Sequence, residues 1–145
     1  MLEDGVLEQI IEQYIQSSAV WCFDSVADMK SATNLVNGSY ARTLGYYSAN
    51  DGGESIYKIT NTQSQTEHQE TLNSGLYATL IVKDSVNIKQ LGAYGDGNHN
   101  DTNAFKTFAN SNIKTLIIPS GTYLLNDIVD LEKTLSGNNK MKNPV

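Results

Sequence analysis

The stretch of residues 86–125 is the feature that most constrains how this 145-residue chain folds. Val86 and Ile88 alternate with polar neighbours, which predicts a half-buried strand. Gly92, Gly95 and Gly97 then interrupt the pattern, because glycine adopts backbone conformations that other residues reach only at a cost. Asp101 is a predicted helix N-cap, since its carboxylate can accept hydrogen bonds from the free amides of the next turn.

The rest of this stretch predicts a short amphipathic helix followed by two strands. The apolar side of the helix is formed by Ala104, Phe105, Phe108 and Ala109. A continuous apolar run of Leu116, Ile117 and Ile118 then predicts a buried strand that stops at Pro119. A turn at Ser120 and Gly121 leads into a second strand over residues 122–125.

This order of signals resembles the opening of a pectate-lyase-like right-handed parallel β-helix. The family pattern is GA-x-GDG-x-x-DDT, a short helix, a hydrophobic strand and P-x-GTY. The matching residues here are Gly92, Gly95, Asp96, Gly97, Asp101, Thr102, Pro119, Gly121 and Tyr123. Asn100 stands where the family usually has a first aspartate. The resemblance implies a lid helix and the first rung of a solenoid, so these residues are a structural motif and not an active site.

Residues 26–30, 40–53 and 56–59 resemble a small domain that precedes the β-helix in phage tailspikes and tail fibres. The likeness is to preneck appendage and tail proteins of phages and prophages of Gram-positive bacteria in particular. Glu54 departs from that pattern, which often has a third glycine at this position.

The same residues predict a β-rich module from their own chemistry. Ser25 and Asp28 have the spacing of a capping box for a short helix that buries Val26 and Met29. Alternation from Ala41 to Tyr46 predicts a strand with unequal faces, and residues 50–53 (Asn-Asp-Gly-Gly) predict a hairpin turn into a partner strand over residues 55–59. Residues 61–70 are polar and aperiodic, which predicts an exposed loop, and β structure resumes over residues 76–82.

The N-terminal residues predict a separate amphipathic helix that begins near Asp4 and Gly5. Its apolar side carries Leu7, Ile10, Ile11, Tyr14 and Ile15. Because about four turns of helix are marginal alone in water, this side must pack against something. Two partners are open, either its own domain or a three-helix bundle at the axis of a trimer. The trimer is preferred, since the resemblance is to trimeric phage spikes.

The expected fold is therefore mainly β with short helices. We expect an N-terminal helix for oligomerisation or attachment over residues 1–20 and a small β-rich, particle-proximal module over residues 21–84. Residues 85–145 are expected to begin a right-handed parallel β-helix. Such repeats need several stacked rungs, so residues 126–145 are expected to lead into a second coil of a longer protein.

Composition excludes several other classes of function. The net charge is −6 without any cluster of lysine or arginine, which argues against nucleic-acid binding. No apolar run is long enough to insert into a membrane. A single cysteine, Cys22, cannot form an intrachain disulfide, and its neighbours Trp21 and Phe23 suggest that it is a small buried hydrophobe.

Signals for catalysis or metal binding are weak, and no catalytic residue, cofactor or metal ligand is assigned. Asp96, Asn98 and Asn100 have the spacing of a calcium loop but lack its downstream glutamate. His68 and His99 stand alone in polar stretches and are expected to be solvated. The tyrosines 40, 46, 47 and 57 could stack on a sugar, but in strands such side chains more often pack against one another.

The sequence thus predicts a virion structural protein, the anchoring part of a phage tailspike, tail fibre or appendage. Its expected partners are itself, as a homotrimer, and a tail, neck or baseplate protein, with host surface glycan reached only through a missing C-terminal part. One alternative is the N-terminal part of a β-helix polysaccharide depolymerase, with carboxylates on later rungs. Another is a bacterial β-helix enzyme unrelated to virions. No activity is expected from these residues alone.

Overall fold

The chain divides into two compact units, Met1–Ile81 (unit 1) and Val82–Val145 (unit 2). The computed structural model describes residues 20–132, 134–135 and 139–140. The predicted N-terminal helix, with its proposed oligomerisation residues 7–15, lies outside the described residues.

Unit 1 is built on a five-stranded sheet. Its strands are β1 (Val20–Phe23), β2 (Tyr40–Thr43), β3 (Ser55–Thr60), β4 (Gln69–Thr71) and β5 (Tyr77–Leu80). They lie in the order β1-β2-β3-β5-β4, with β1 parallel to β2 and every other neighbour antiparallel. A small β-rich module with short helices is therefore confirmed.

One face of this sheet, the inner face, is buried. It carries Ala41, Tyr57, Ile59, Ala78 and Leu80, each at most 4% exposed. Helix α1 (Val26–Ser31) begins after Ser25, whose hydroxyl accepts a hydrogen bond from the Asp28 amide at 3.1 Å. Val26 and Met29 are buried, so the predicted cap and the predicted buried side of this helix are both confirmed.

Two predictions for unit 1 are wrong. Cys22 is exposed, because the strand register sets it opposite Arg42 on the face of the sheet away from the core. The expected loop over residues 61–70 ends in strand β4, where Glu70 is only 8% exposed. The register sets Glu70 opposite Ala78, so the carboxylate belongs to the inner face.

Unit 2 consists of short elements that pair over long sequence distances. They are β6 (Val86–Asn87), a 3-10 helix (Ile88–Leu91), β7 (Asp96–Asn100), α2 (Thr102–Asn110), β8 (Leu116–Ile117), β9 (Thr122–Leu124), β10 (Thr134–Leu135) and β11 (Asn139–Lys140). Strand β6 pairs with β8 and β7 with β9, both in parallel. Beyond residue 126, where a second coil was expected, β10 and β11 pair antiparallel.

The core of unit 2 confirms the predicted side of helix α2 and corrects two strands. Ala104, Phe105 and Phe108 are buried. Ile88 is buried but starts the 3-10 helix instead of continuing a strand. Ile117 and Ile118 are 49% and 50% exposed, so the predicted buried run is wrong. Within the described residues β8 pairs only with β6, which leaves the outer side of β8 unpaired there.

Among the helices that the structure describes, none has the length and apolar character needed to cross a bilayer.

Candidate functional site

The Asp101 carboxylate joins the glycine-rich turn to helix α2. Asp101 stands at the N-cap position, but its side chain makes no capping hydrogen bond. Instead it accepts from the amides of Tyr94 at 2.7 Å and Gly95 at 3.0 Å, while its own amide donates to the Leu124 carbonyl at 2.8 Å. The predicted position is confirmed and the predicted role is wrong, because the turn amides hold the carboxylate.

Tyr123 closes the same turn from strand β9. Its hydroxyl donates to the Pro119 carbonyl at 2.8 Å, and its ring meets Phe105 edge-on, with the centroids 5.8 Å apart. Gly95 lies so close that an added Cβ would be 2.9 Å from the Tyr123 ring. Burial, together with the negative charge of Asp101, raises the pKa of Tyr123.

A third contact ties the start of α2 to the chain after β9. The Thr102 hydroxyl lies 2.6 Å from Asn100 Oδ1 and 2.9 Å from Asn126 Oδ1, and it accepts from the Asn126 amide at 2.8 Å. Asn100 Oδ1 also accepts from the Thr102 amide at 3.0 Å. Asn100, the departure from the family pattern, therefore makes a polar contact at the start of the helix.

Asp96 and His99 form an exposed pair next to this turn. The Asp96 carboxylate accepts from the amides of Asn98 and His99 at 2.9 and 3.0 Å and lies 2.7 Å from His99 Nδ1. Those two amide hydrogen bonds, followed by the contact with the His99 ring, lower the pKa of Asp96 to about 2. The His99 ring stacks on Tyr94 with the centroids 3.7 Å apart. His99 is still 53% exposed, so the expectation of a solvated side chain is confirmed, with Asp96 and Tyr94 as its neighbours.

Glu70 is the centre of a polar cluster in unit 1 that the sequence did not predict. One carboxylate oxygen lies 2.8 Å from His68 Nε2 and 3.3 Å from the Tyr46 hydroxyl. The other lies 3.8 Å from Lys30 Nζ. His68 is only 15% exposed, so the expectation of a solvated histidine is wrong.

The Glu70 cluster joins three separate parts of unit 1. Lys30 belongs to α1 and Tyr46 to the loop after β2. Glu70 belongs to the edge strand β4, and His68 directly precedes that strand. Burial and the negative charge of Glu70 raise the pKa of the fully buried Tyr57. The one sequence feature that could have predicted this cluster is the spacing of His68 and Glu70, because residues two apart lie on the same face of an extended chain.

Neither cluster has the composition of a metal centre or of a nucleophilic site. Within the described residues, no group of three or more His, Cys, Asp or Glu side chains could hold a metal ion. The four tyrosines do not form one sugar platform, because Tyr57 is buried and the ring of Tyr40 faces Lys58 at 6.0 Å. The Asp101 contacts and the Glu70 cluster each connect separate secondary-structure elements.

Exposed apolar side chains form the other notable feature of unit 2. We call them the apolar strip, and it consists of Ile117, Ile118, Leu124, Leu125, Ile128 and Leu131. Each is at least 40% exposed, and Ile128 is 90% exposed. Six exposed apolar side chains within 15 consecutive residues are more than scattered single ones, and such groups are typical of surfaces that associate.

Solved structures that match this chain include two of phage tailspike proteins. The chain is similar to full-length tailspike protein 2 from a bacteriophage of Escherichia coli O157:H7, with a TM-score of 0.47 and 20% identity over 61% of this chain. It is also similar to the enzymatically active domain of tailspike protein 2 of bacteriophage CBA120, with a TM-score of 0.48 and 18% identity over 73% of this chain. The chain spans 12% and 16% of those two chains. No family model and no curated protein matches it.

Proposed function

We propose that this chain is the N-terminal anchoring part of a phage tailspike, tail fibre or appendage. The observation that carries the proposal is the parallel pairing in unit 2. Val86 pairs with Leu116 and Asp96 with Thr122, so the chain returns to the same position after roughly one solenoid repeat of 20–45 residues. Two such parallel returns support the proposal that unit 2 begins a β-helix.

The apolar strip supports a continuation of this coil. In a solenoid each repeat buries the exposed apolar face of its neighbour. Ile117 and Leu124 belong to β8 and β9, and these strands are the ones that another coil would pair with. In the proposed protein that further coil begins a receptor-binding β-helix, which reaches host surface glycan for adsorption.

Unit 1 supports the particle-proximal role by its construction. Its buried side chains and the Glu70 cluster belong to a compact module, and its sequence resembles the domain that precedes a β-helix in tailspikes and preneck appendages. In the proposed assembly three copies form a homotrimer that binds a tail, neck or baseplate protein and is located in the virion.

Immunogold electron microscopy tests the proposal. Antibodies raised against the purified chain are applied to particles released by cells that carry the gene. We expect gold at the tail, neck or baseplate of each particle and none on particles from a strain in which the gene is deleted. Unlabelled particles, with the antigen found only in the particle-free lysate, would overturn it.

A further inference from the structure

The sheet of unit 1 has a second face, the outer face, that is partly apolar. Across β1, β2 and β3 the register sets Cys22 opposite Arg42 and Arg42 opposite Ile56. The same pairing sets Val20 opposite Tyr40 and Tyr40 opposite Lys58. Beside Ile56, the Ile81 amide donates to the Ile56 carbonyl at 2.9 Å.

The outer face exposes more apolar side chains than is usual for a sheet face in contact with water. Val20 is 59% exposed, Ile56 is 47% exposed and Ile81 is 46% exposed, and the Cys22 thiol is exposed beside them. A sheet face in contact with water is normally polar, whereas an apolar group of this kind is typical of a covered surface.

The segment formed by residues 1–19 is the occupant that these observations favour. It leads directly into Val20, the first residue of β1 and the most exposed apolar side chain of the outer face. Residues 2–15, if helical as the sequence predicts, span about 21 Å. Five strands extend over about 19 Å, and residues 16–19 leave a short connection for a reversal of direction.

Charge also favours this pairing. The segment contains Glu3, Asp4, Glu8 and Glu12 and no lysine or arginine. The outer face carries Arg42, which pairs with Glu54 at 2.7 Å, and Lys58, which lies above the Tyr40 ring. An acidic polar edge on the segment would thus meet Lys58, while Arg42 is already paired with Glu54.

We infer that the N-terminal segment packs across the outer face of its own chain's sheet, with its apolar side on Val20, Ile56 and Ile81. Unit 1 then has a covered layer on both faces of the sheet, a three-layer arrangement that packed domains also adopt. This replaces the trimer axis as the partner of Ile11 and its neighbours. In this arrangement, anchoring and oligomerisation depend on surfaces other than the outer face.

The single cysteine makes the inference measurable in the full-length chain. The rate of alkylation of Cys22 by a maleimide is compared for wild type, Ile11→Asp and the matched control Gln13→Asp, which changes the polar side of the segment. A charge in a buried apolar contact is costly, so Ile11→Asp should expose Cys22 and raise the rate at least tenfold. Equal rates in all three proteins would overturn the inference.

A crosslink identifies the occupant. Ile11→Cys adds one thiol, and mild oxidation should join it to Cys22 within one chain, with a product of monomer size and no dependence on protein concentration. Gln13→Cys should crosslink at least tenfold more slowly. Covalent dimers instead would identify a second copy as the occupant, and two thiols that stay free would exclude the contact. Either result overturns the inference without affecting the location of the protein on phage particles.

Discussion

At the scale of single residues, Asp51 organises the connection between β2 and β3. Its carboxylate accepts from the amides of Tyr46, Tyr47, Ser48 and Gly53 at distances of 2.8–3.2 Å. Partial burial acts to raise the pKa of Asp51, but these four hydrogen bonds together outweigh it and lower the pKa below its usual value. The sequence predicted the hairpin from the Asn-Asp-Gly-Gly run, and positive φ at Asn50 and Gly52 confirms it.

We expect Asp51→Ala to lower the free energy of unfolding by about 2 kcal/mol at pH 7, since hydrogen bonds to a charged group are lost. Because the folded-state pKa is depressed, this contribution is present above the unfolded pKa of about 4. It is lost as the pH falls through the folded-state pKa. Urea denaturation of wild type and Asp51→Ala at pH 7, 5 and 3 measures this contribution, and Glu67→Ala, at an exposed position, serves as the control. A difference from wild type that stayed constant down to pH 3 would contradict the role of the ionised carboxylate.

Asp101 is a second residue whose role depends on hydrogen bonds that the sequence does not reveal. As a simple N-cap it would contribute about 1 kcal/mol. Because it is 1% exposed and holds two turn amides, we expect Asp101→Ala to cost about 2–3 kcal/mol. Asp101→Asn keeps one acceptor and should cost less. Amide exchange should accelerate at Tyr94 and Gly95 in the alanine variant, and acceleration confined to the first turn of α2 would restore the capping role.

At the scale of elements, the sequence correctly predicted turns and helix starts that depend on a single residue. Gly92, Gly95 and Gly97 all have positive φ, and α2 begins after Asp101, as predicted. The 3-10 helix also had a signal that was missed, because Asn87 and Gln90 have the spacing of a capping box and do form one. Burial of Ile117 and Ile118 could not be predicted, since it depends on which strand lies beside them.

Contact between the glycine-rich turn and β9 gives a prediction at this scale. Gly95→Ala and Gly97→Ala introduce the same Cβ at similar positive φ, +67° and +75°. The Cβ at position 95 meets the Tyr123 ring at 2.9 Å, while that at position 97 meets Thr122 at an ordinary 3.4 Å. Both variants should lose about 1–2 kcal/mol of unfolding free energy, because alanine is strained at positive φ. Gly95→Ala should lose at least about 1 kcal/mol more, because its Cβ overpacks against Tyr123. Thermal denaturation compares them, and equal losses would mean that Tyr123 moves aside freely.

At the scale of the whole molecule, the sequence predicted a β-rich module and parallel strands but not the Glu70 cluster. Lys30, Tyr46 and His68 reach Glu70 from three distant parts of the chain. No local pattern encodes such a meeting, because it follows from strand order and register. The segment over residues 61–70 therefore looked like a solvated loop, although its last residue lies on the inner face.

We expect the isolated chain to have no glycan-degrading activity. Glycoside hydrolysis requires a pair of carboxyl groups that flank the scissile bond. Asp51, Glu70 and Asp101 are carboxylates with at least two internal partners each, and they are occupied by hydrogen bonds within the chain. Incubation with host capsule or wall polymer, followed by assays for reducing ends and unsaturated products, measures this. Turnover above the buffer control would favour the depolymerase alternative over the anchor.

The last prediction concerns assembly. We expect light scattering on the 145-residue chain to give three times its 15.9 kDa mass, because the resemblance is to trimeric spikes. Where the proposed further coil is not there to cover the apolar strip, association would cover it instead. Since Ile11 is proposed to pack on the sheet of its own chain, the Ile11→Asp variant should remain trimeric while its Cys22 becomes reactive. Ile117→Lys, which puts a charge into the apolar strip, should weaken the trimer, and Lys114→Ser, at an exposed position before β8, serves as the control. A monomeric wild type would exclude the homotrimer, and dissociation by Ile11→Asp alone would return the N-terminal helix to the trimer axis.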